Sequence, residues 1–508
     1  MTGKTFYITT PAYYVNDVLH IGHAYCTIAV DVIARFKRFA GYEVLFVTAT
    51  DEHGQKIDEA AAAQGLKPIE LADSIVRQDK AVWEKLNISY DDFIRTTEDR
   101  HVKAVSGIFQ ALYEKGDIYK GLYEGLYCIP CETFWTESQA EAGVCPDCGR
   151  SLKKVEEESY FFKLSKYRER LLKLYEENRS FMLPASRRAE MINIVKGDLR
   201  DLSVSRTAVK WGIPVPFDKS HTIYVWFDAL INYISAAGYL NDEKKFSKFW
   251  PADVHVVGKE IYKFHVIIWP AMLMALGLEP PGCVFGHGWW TVNGQKMSKS
   301  KANVVDPVKT AGRFGVDVLR YFLFREVPFG TDGDFSQESL LSRYNTELAN
   351  DLGNLLNRTL TMVEKYFEGR IPGYGEREKG FKAQVEECVK NTTGYYDSYQ
   401  LSEALSQVMG LVGSSNRYIE TSAPWKLSKE DPGRLGSVLY NLLEALRITA
   451  LLISPFMPET AGSILRQLGI KESLSSLGIS GLNWGGMKEN GRINKGSPLF
   501  PRFEGKTK

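Results

Sequence analysis

Two histidines in the segment HIGH, His20 and His23, lie three residues apart around Gly22. In a helix, positions i and i+3 share one face, so both imidazoles would point at whatever binds at the start of that helix. A helix N-terminus carries partial positive charge and unpaired N–H groups, which makes phosphate the favoured ligand. Gly22 leaves room for that ligand to approach the backbone. In the alternative interpretation, the two histidines only cap a surface helix.

The segment KMSKS at residues 296–300 carries Lys296 and Lys299 in a serine-rich loop. Lysine ammonium groups are compact charges for phosphate oxygens, and serine hydroxyls can stabilise a developing negative charge. The loop therefore predicts closure on a polyphosphate. Taken alone, it would also fit an ordinary solvated loop.

Four of the seven cysteines form two C-x-x-C pairs with 13 residues between the pairs, a spacing typical of four-cysteine zinc sites. Four thiolates fill a tetrahedral shell and leave no position for water or substrate, so the sequence predicts one structural Zn²⁺. Two redox-active dithiols are the alternative. The predicted ligands are Cys128, Cys131, Cys145 and Cys148.

The composition is that of a soluble globular protein of several domains, with 508 residues, 44% of them hydrophobic and 25% charged. A formal net charge of +1 neither indicates nor excludes nucleic acid, because binding needs only a local basic face. The longest nearly unbroken apolar run, residues 266–276, is too short to cross a bilayer, and no secretory leader is visible. The three remaining cysteines fit buried, reduced thiols. We therefore expect a cytoplasmic protein.

Alternating strand and helix patterns predict an α/β fold. A strand-like stretch at residues 6–10, a helix-like one at 23–41 and a strand-like one at 43–50 form a β-α-β unit, whose parallel strands bind ligands at their carboxyl ends. A cysteine-rich segment then interrupts the predicted sheet, and helical periodicity dominates from about Ser339. The second α/β set comprises strands expected at 222–227, 253–258 and 282–291 and a helix expected at 261–276.

Both motifs are signatures of the class I aminoacyl-tRNA synthetases, and the chain resembles that family. Within it, the chain is similar to the methionyl-tRNA synthetases along nearly its whole length. The segments that carry the likeness are TTPAYYVNDVLHIGHAY, TATDEHGQKI, YVWFDALINY, VGKEIYKFHVIIWPAML and HGWWTVNGQKMSKS. The resemblance implies a Rossmann-like parallel-sheet catalytic domain with a small inserted zinc-knuckle module, followed by an α-helical bundle anticodon-binding domain.

The expected domain bounds follow the changes in pattern. The chain ends without the appended tRNA-binding domain that dimerises some members of the family, so we expect a monomer. The predicted ranges are 1–115 and 186–290 for the two halves of the catalytic domain, 116–185 for the inserted module, 291–338 for the KMSKS loop and connecting segment, 339–470 for the helical domain and 471–508 for a C-terminal tail docked on the rest.

The resemblance also implies an amino-acid site. Asp51 would take the substrate ammonium, although a helix N-cap would suit the same residue. Arg206 resembles a family arginine near the active site. Aromatic and small residues would hold a thioether, whose sulfur makes favourable contacts with rings, although each could equally belong to the core. The implied methionine contacts are Ala12, Tyr14, Asp51, Trp226, Ala229, Tyr233, Ile261, His265 and Trp269.

Nucleotide and tRNA contacts are implied in the same way. Residues 258–260 end a strand and begin a helix, where amides and a carboxylate can meet a nucleotide, although an ordinary turn is the alternative. A solvated helix face is the alternative for the polar stripe that would read the anticodon. The implied ATP contacts are His20, Gly22, His23, Gly258, Glu260, Lys296 and Lys299, of which His20, His23, Lys296 and Lys299 are the catalytic set. The implied anticodon contacts are Asn354, Arg358 and Trp425.

The implied reaction joins L-methionine to tRNA(Met), which carries the CAU anticodon, through a methionyl-adenylate formed from ATP with Mg²⁺. The methionine carboxylate is already ionised, so positioning and charge stabilisation would carry the catalysis. Three alternatives stay open at the level of sequence. They are another class I synthetase such as a cysteinyl enzyme, a nucleotidyltransferase fused to an RNA-binding bundle, and a non-catalytic zinc RNA-binding module.

Overall fold

The computed structural model describes residues 3–15, 18–129, 131–135, 140, 143–146, 148–297, 303–375 and 379–503. The chain divides into two compact units. The sheet unit comprises Thr5–Leu19 and Val44–Gly288, and the helical unit comprises Met1–Lys4, His20–Glu43 and Trp289–Lys508. The chain begins with β1 (Thr5–Tyr14), α1 (Ile21–Phe39) and β2 (Glu43–Asp51), which is the β-α-β order predicted from the sequence.

The sheet unit continues after β2 with mixed strands and helices. In chain order they are α2 (Gln55–Ala62), α3 (Pro68–Lys85), β3 (Asp92–Arg95), α4 (Asp99–Glu114), β4 (Ile118–Cys128), β5 (Thr133–Trp135), β6 (Lys153–Phe162), a 3-10 turn (Leu164–Tyr167), α5 (Arg168–Glu177), β7 (Met182–Leu183), a 3-10 turn (Ala185–Arg187), α6 (Arg188–Lys196), β8 (Leu202–Ser203), β9 (Ser205–Arg206), β10 (Pro214–Val215), β11 (Asp218–Ile223), α7 (Val225–Ala237), α8 (Glu243–Phe249), β12 (Val254–Gly258), a π-helical turn (Phe264–Ile268), α9 (Trp269–Leu276) and β13 (Cys283–His287).

A six-stranded sheet of order β3-β2-β1-β12-β13-β7 forms the centre of this unit. Strands run parallel from β1 across to β7 and between β2 and β3. The strands β12 and β13 are buried along their whole length, as expected when helices cover both faces of a parallel sheet. Strand order reverses between β1 and β12, and such a switch point binds ligands at the carboxyl ends of the strands. Tyr14 ends β1 and Gly258 ends β12, so both predicted binding residues stand at that edge.

The inserted module is antiparallel, with strand order β5-β4-β6-β8. Its long pair, β4 and β6, is in register from Ile118 opposite Phe162 to Tyr127 opposite Lys153. The strand β4 ends at Cys128, the first cysteine of the two pairs. The cysteines are therefore held at the far end of a regular β-ribbon.

The structure differs from the predicted second α/β set at several elements. The strand expected at 222–227 ends at Ile223 inside a small antiparallel sheet, β10-β11-β9, and Val225 begins α7. Every residue of α7 is buried, and a helix that is apolar on all sides cannot be told from a strand by its periodicity. The helix expected at 261–276 is present, but its residues 264–268 are wound as a π-helical turn before α9 continues from Trp269. Pro270 has no N–H to donate, which favours such a local change of winding.

The helical unit contains α1 and most of the chain after residue 288. Its further elements are β14 (Trp290–Val292), β15 (Gln295–Lys296), α10 (Pro307–Phe314), α11 (Val316–Arg325), β16 (Gly333–Asp334), α12 (Gln337–Arg343), a π-helical stretch (Tyr344–Gly353), α13 (Asn354–Phe367), α14 (Lys379–Asp397), α15 (Leu401–Ser422), α16 (Pro424–Glu430), α17 (Pro432–Ile453), α18 (Pro458–Gln467), α19 (Leu474–Leu477) and a 3-10 turn (Ile479–Leu482).

The expected strand at 282–291 is therefore divided, because β13 ends at His287 and β14 joins the small sheet β15-β14-β16. The core of the helical unit is built on α17, which is buried continuously from Leu435 to Ile453. Among the described helices, α17 alone has the length and apolar character of a membrane span, and its apolar stretch is wholly enclosed by protein. The predicted fold class, a Rossmann-like parallel sheet with an inserted module and a helical bundle, is confirmed.

Candidate active site

His20 and His23 close the start of α1 by accepting backbone hydrogen bonds. Nδ1 of His20 accepts from the amide of Gly22 at 3.0 Å, and Nδ1 of His23 accepts from the amide of His20 at 3.0 Å. The ring centroids lie 3.9 Å apart. Because each Nδ1 is an acceptor, the proton of each neutral ring resides on Nε2, which can donate to a phosphate oxygen. Capping and phosphate binding are thus compatible, since the caps fix the tautomer that a phosphate needs.

A residue of the KMSKS segment and one that follows it contact the start of α1. The amide of Ile21 donates to the carbonyl of Val305 at 3.0 Å. A Cβ built on Gly22 would lie 4.0 Å from Cε of Met297 and only 2.9 Å from Cε1 of His20. The glycine is therefore required by the packing of the His20 ring. The two motifs, far apart in sequence, come together within one unit.

The lysines of the second motif are described only in part. Lys296 ends β15, where its backbone pairs with Thr291 of β14. Lys299 lies outside the described residues, together with its neighbours from 298 to 302. The structure therefore places Met297 and Val305, on the two sides of residues 298–302 in the sequence, beside the start of α1.

In the sheet unit, predicted methionine contacts form one aromatic cluster. The rings of Tyr14 and Trp226 meet edge to face with centroids 6.2 Å apart, and Trp226 stacks on Phe264 at 4.1 Å. Tyr233 lies 5.8 Å from Trp269, again between centroids. Two helices and the end of β1 supply these rings, so the cluster stands at the switch point of the sheet. Ala12, Ala229 and Ile261 are buried or half-buried on the same elements or beside them.

The ring of His265 is neutral and fixed on both sides. Burial lowers the pKa of His265 to about 4. Its Nδ1 lies 2.9 Å from the carbonyl of Ile261, which can only accept, so Nδ1 carries the proton. Its Nε2 lies 2.6 Å from the hydroxyl of Tyr233 and accepts from it. The pair presents an uncharged wall, which suits an apolar thioether.

Several buried polar atoms of the cluster have no hydrogen-bond partner among the described residues. Burial raises the pKa of Asp51 well above its usual value, and the charges of Asp228 and Glu132 raise that pKa further. Asp51 is only 2% exposed. Buried polar atoms normally find partners, so a group of them marks a place where a ligand belongs. The atoms are the Tyr14 hydroxyl, Asp51 Oδ1, Glu132 Oε2 and Trp226 Nε1.

Gly258 and Glu260 lie at the carboxyl end of β12. A Cβ on Gly258 would stand 2.5 Å from Oε1 of Glu260, so the carboxylate folds back over the glycine. The amide of Lys259 donates to the carbonyl of His287 at 3.0 Å and ties this turn to β13. The turn is thus fixed by neighbours while Glu260 stays exposed.

Arg206 is buried against the inserted module. Its guanidinium pairs with Glu157 of β6 and lies 4.1 Å from the ring centroid of Tyr127 on β4. Arg206 is 4% exposed. The arginine therefore fastens the module to the strand β9.

The four cysteines of the module gather at one point. Their sulfur atoms all lie within 4.8 Å of one another, and the Sγ atoms of Cys128 and Cys148 are 3.6 Å apart. A tetrahedral ion with Zn–S bonds of about 2.3 Å requires sulfurs roughly 3.8 Å apart. The cluster therefore fits a metal ion with four thiolate ligands.

The predicted anticodon residues lie on two helices of the helical unit, α13 and α16. Asn354 is exposed at the start of α13, and Arg358 pairs with Glu420 of α15 at 2.6 Å. Trp425 follows in the first turn of α16 and is 45% exposed. A large exposed aromatic ring is a surface on which unstacked bases can stack.

Sequence reasoning missed a buried network next to the aromatic cluster. The carboxylate of Asp228, on α7, lies within hydrogen-bond distance of two histidines. Its Oδ2 is 2.7 Å from Nδ1 of His53, and its Oδ1 is 2.7 Å from Nε2 of His101. These partners lower the pKa of Asp228 against the effect of its burial. An aspartate inside an apolar helix, VWFDALINY, is itself a signal, because a buried carboxylate needs partners.

Glu132 was also missed. Its carboxylate lies at the N-terminus of α2, where Oε1 accepts from the amide of Lys56 at 3.2 Å. Burial raises the pKa of Glu132 to about 7. Burial also raises the pKa of the Tyr14 hydroxyl, and the charges of Glu132 and Asp51 raise it further. In the sequence, Glu132 only follows a cysteine of the knuckle, and nothing there indicates that it reaches the aromatic cluster.

Two family models match the chain. The one described as tRNA synthetases class I (M) matches residues 6–157 and 149–360, and the one described as the anticodon binding domain of methionyl tRNA ligase matches residues 370–476. The methionine–tRNA ligase of Caldanaerobacter subterraneus subsp. tengcongensis is 56% identical over 507 residues, which cover 99% of this chain and 79% of the relative.

Other relatives agree with this result. The methionine–tRNA ligase of Bacillus subtilis (strain 168) is 48% identical over 521 residues, covering 99% of this chain and 78% of the relative. Among solved structures, Mycobacterium tuberculosis methionyl-tRNA synthetase in complex with methionyl-adenylate superposes with a TM-score of 0.94 at 42% identity, covering 98% of this chain and all of the other.

Proposed function

Because the chain belongs to the class I methionyl-tRNA synthetase family, we propose that it joins L-methionine to tRNA(Met) through a methionyl-adenylate, releasing diphosphate and AMP. The observation that carries the proposal is that the start of α1, with His20 and His23, contacts Met297 of the KMSKS motif and Val305 shortly after it. A phosphate ligand suits this place, since a helix N-terminus and lysines both attract negative charge.

The aromatic cluster of the sheet unit is the proposed amino-acid pocket. Its neutral His265–Tyr233 pair and the rings of Trp226 and Trp269 suit an uncharged thioether. The unpartnered Oδ1 of Asp51 would accept from the substrate ammonium. The roles of Ala12, Tyr14, Ala229 and Ile261 as lining residues belong to the same proposal.

Catalysis would come from stabilising the negative charge that develops on the phosphate oxygens. The methionine carboxylate attacks the α-phosphorus of ATP, and negative charge builds on the phosphate oxygens as diphosphate leaves. Nε2–H of His20 and of His23, with Lys296 and Lys299, would donate to those oxygens. Gly258 and Glu260 would hold the nucleoside at the end of β12. Mg²⁺ would accompany ATP and share the phosphate charge.

The four-cysteine cluster is the proposed site of one structural Zn²⁺. Four thiolates close the coordination shell, so a substrate thiol would find no free position. This feature argues against a cysteinyl enzyme whose zinc holds the substrate. The ion would instead fix the end of the β-ribbon relative to Arg206 and Glu132.

We propose that Asn354, Arg358 and Trp425 recognise the CAU anticodon. We also propose that the enzyme works in the cytoplasm. The apolar helix α17 is enclosed by protein, which agrees with a core helix. The domain bounds and the monomeric state expected from the sequence stay predictions.

ATP–pyrophosphate exchange in the presence of each single amino acid tests the proposal. We expect exchange with methionine alone, and we expect His23→Ala or Lys299→Ala to lower it ~10²-fold or more, the scale of one lost preorganised donor. Lys309→Ala is the matched control, because that lysine is 87% exposed on the nearby α10. Exchange that needs no amino acid, or that responds to cysteine, would contradict the proposal.

A further inference from the structure

We propose that Glu132, which the cysteine-rich module contributes, is a second acid of the amino-acid site and acts with Asp51 on the substrate ammonium. The inference rests on the proposed function, because it takes the Asp51 cluster as the place where the amino acid binds. It adds to that site a residue from outside the parallel sheet.

The side chain of Glu132 is held in a fixed position. It is 1% exposed, its Oε1 accepts from the amide of Lys56 at 3.2 Å, and its backbone carbonyl accepts from the hydroxyl of Tyr224. A Cβ on Gly54 would lie 2.4 Å from Oε1, so only glycine leaves room for the carboxylate there. The carboxylate is thus built into the loop that follows Asp51.

The second oxygen of that carboxylate makes no hydrogen bond of good geometry among the described residues, although the Tyr14 hydroxyl lies close to the carboxylate. Oε2 of Glu132 is buried without a partner among the described residues, and so are Oδ1 of Asp51 and the hydroxyl of Tyr14. A buried, unsatisfied carboxylate oxygen costs free energy, and a ligand with several N–H donors would remove that cost. An ammonium group offers three donors in a compact charge.

The balance of charge favours the same ligand. Lys56 is the basic side chain beside the two acids, and its Nζ lies over the ring of Tyr14, 4.6 Å from the centroid. Two carboxyl groups beside one ammonium favour a ligand that brings further positive charge. A cationic head on the ligand would stabilise the charged forms of both acids, whereas an uncharged or anionic head would not.

Methionine affinity of Glu132→Gln tests the inference. Glutamine keeps an acceptor for the Lys56 amide but removes the charge. We expect the KM for methionine in pyrophosphate exchange to rise about tenfold, the scale of one charged hydrogen bond, with the KM for ATP and kcat unchanged. Calorimetric titration with L-methioninol, which keeps the ammonium and lacks the carboxylate, should show the same loss. Glu132→Asp keeps the charge on a shorter side chain, so its KM for methionine should lie between those of the parent and of Glu132→Gln.

Controls separate this effect from damage to the module. Glu124→Gln changes an exposed acid on β4 of the same module and should leave both affinities unchanged. Zinc content and unfolding temperature of Glu132→Gln should match the parent protein. Unchanged methionine affinity in Glu132→Gln, equal rises of both KM values, or loss of zinc would each overturn the inference.

Asp51→Asn distinguishes failure of the inference from failure of the proposed site. If Asp51→Asn weakens methionine binding and Glu132→Gln does not, the site stands and the inference is wrong. If Glu132→Gln weakens binding and Asp51→Asn does not, Asp51 is wrongly assigned and Glu132 alone receives the ammonium.

Discussion

At the scale of single residues, Gly22 shows how packing holds the His20 ring at the proposed phosphate site. A Cβ at this position would lie 2.9 Å from Cε1 of His20, which tolerates no such approach without moving the ring. We expect Gly22→Ala to displace that imidazole and to lower methionine-dependent pyrophosphate exchange on the order of 10-fold to 100-fold, since small misplacements of a catalytic group have effects of that size. Thermal unfolding should change little, because alanine favours the helix itself.

Gly312→Ala is the matched control for that substitution. Gly312 is helical in α10 of the same unit, and a Cβ there would meet nothing within 4 Å. Exchange should keep the parent rate, and the unfolding free energy should rise by about 0.5–1 kcal/mol. Parent-like exchange in Gly22→Ala would mean that the position of the His20 ring does not matter for the reaction.

Asp51 carries a cost to stability when no ligand is bound. Burial raises the pKa of Asp51 well above that of an unfolded chain, so the folded protein disfavours its charged form. The penalty is absent below the unfolded-state pKa, about 3.9, and grows as pH rises towards the folded-state pKa. We expect Asp51→Asn to raise the unfolding temperature at neutral pH, by about 2–4 °C for each kcal/mol of relief.

Two further measurements make that prediction specific. The difference in unfolding temperature between Asp51→Asn and the parent should narrow as pH is lowered towards 4 and close below it, because the parent carboxyl then becomes protonated in the unfolded chain as well as in the folded protein. Added methionine should stabilise the parent more than the variant. A variant less stable than the parent at neutral pH would show that the carboxylate is satisfied without ligand.

The sequence could predict single site residues only where a motif carried them. His20, Gly22 and His23 belong to the HIGH motif. The structure gives a reason for their spacing, because both histidines cap the start of α1. Glu132 and Asp228 are separated from their partners by long stretches of chain, so their roles depend on tertiary packing that no local pattern records. The same limit explains why the π-helical turn before Trp269 was not predicted.

At the scale of elements, Arg320 of α11 joins three segments of the helical unit. Its Nη2 lies 2.6 Å from Oδ2 of Asp31 on α1, and its guanidinium donates to the carbonyls of Phe456 at 2.7 Å and Pro455 at 2.8 Å. Arg320 and Asp31 are both fully buried. Removing one partner of a buried pair leaves the other charge poorly compensated, which costs about 3–5 kcal/mol.

We therefore expect Arg320→Met to destabilise the helical unit by about 3 kcal/mol, the lower end of that range, because Arg35 still pairs with Asp31 at 2.6 Å. Urea unfolding followed by circular dichroism measures the loss. Lys382→Met is the control, since Lys382 pairs with Glu386 across 3.8 Å at the surface of α14, where such a pair contributes about 0.3–0.5 kcal/mol. Equal stability of the two variants would show that the buried pair contributes no more than the surface one.

Long elements were predictable and short ones were not. The helix α1 and the strands β1, β2 and β12 follow clear periodicities, and the sheet is parallel as their order requires. The strands β3 and β7 have four and two residues, too few to show any period, yet both belong to the central sheet. Their place is set by pairing with β2 and β13 rather than by their own residues.

At the scale of the whole molecule, the proposed function assigns the two steps of the reaction to different parts of the chain. Adenylate formation would use the histidine and lysine motifs and the aromatic cluster, whereas tRNA selection would use the helices around Trp425. The anticodon family model covers residues 370–476, apart from both motifs. A change at Trp425 should therefore affect the second step without the first.

We expect Trp425→Ala to leave methionine-dependent pyrophosphate exchange at the parent rate and to lower kcat/KM for tRNA(Met) in aminoacylation by about 10-fold to 100-fold, since stacking of one base on an aromatic ring contributes about 1–3 kcal/mol. A tRNA(Met) transcript with an altered anticodon is the matched control. It should be a poor substrate for both proteins, and the loss caused by Trp425→Ala should shrink with it, because the ring then has no correct base to hold. An equal loss with both transcripts would place Trp425 outside anticodon recognition, and a fall in exchange would show that the ring supports the fold of the catalytic region instead.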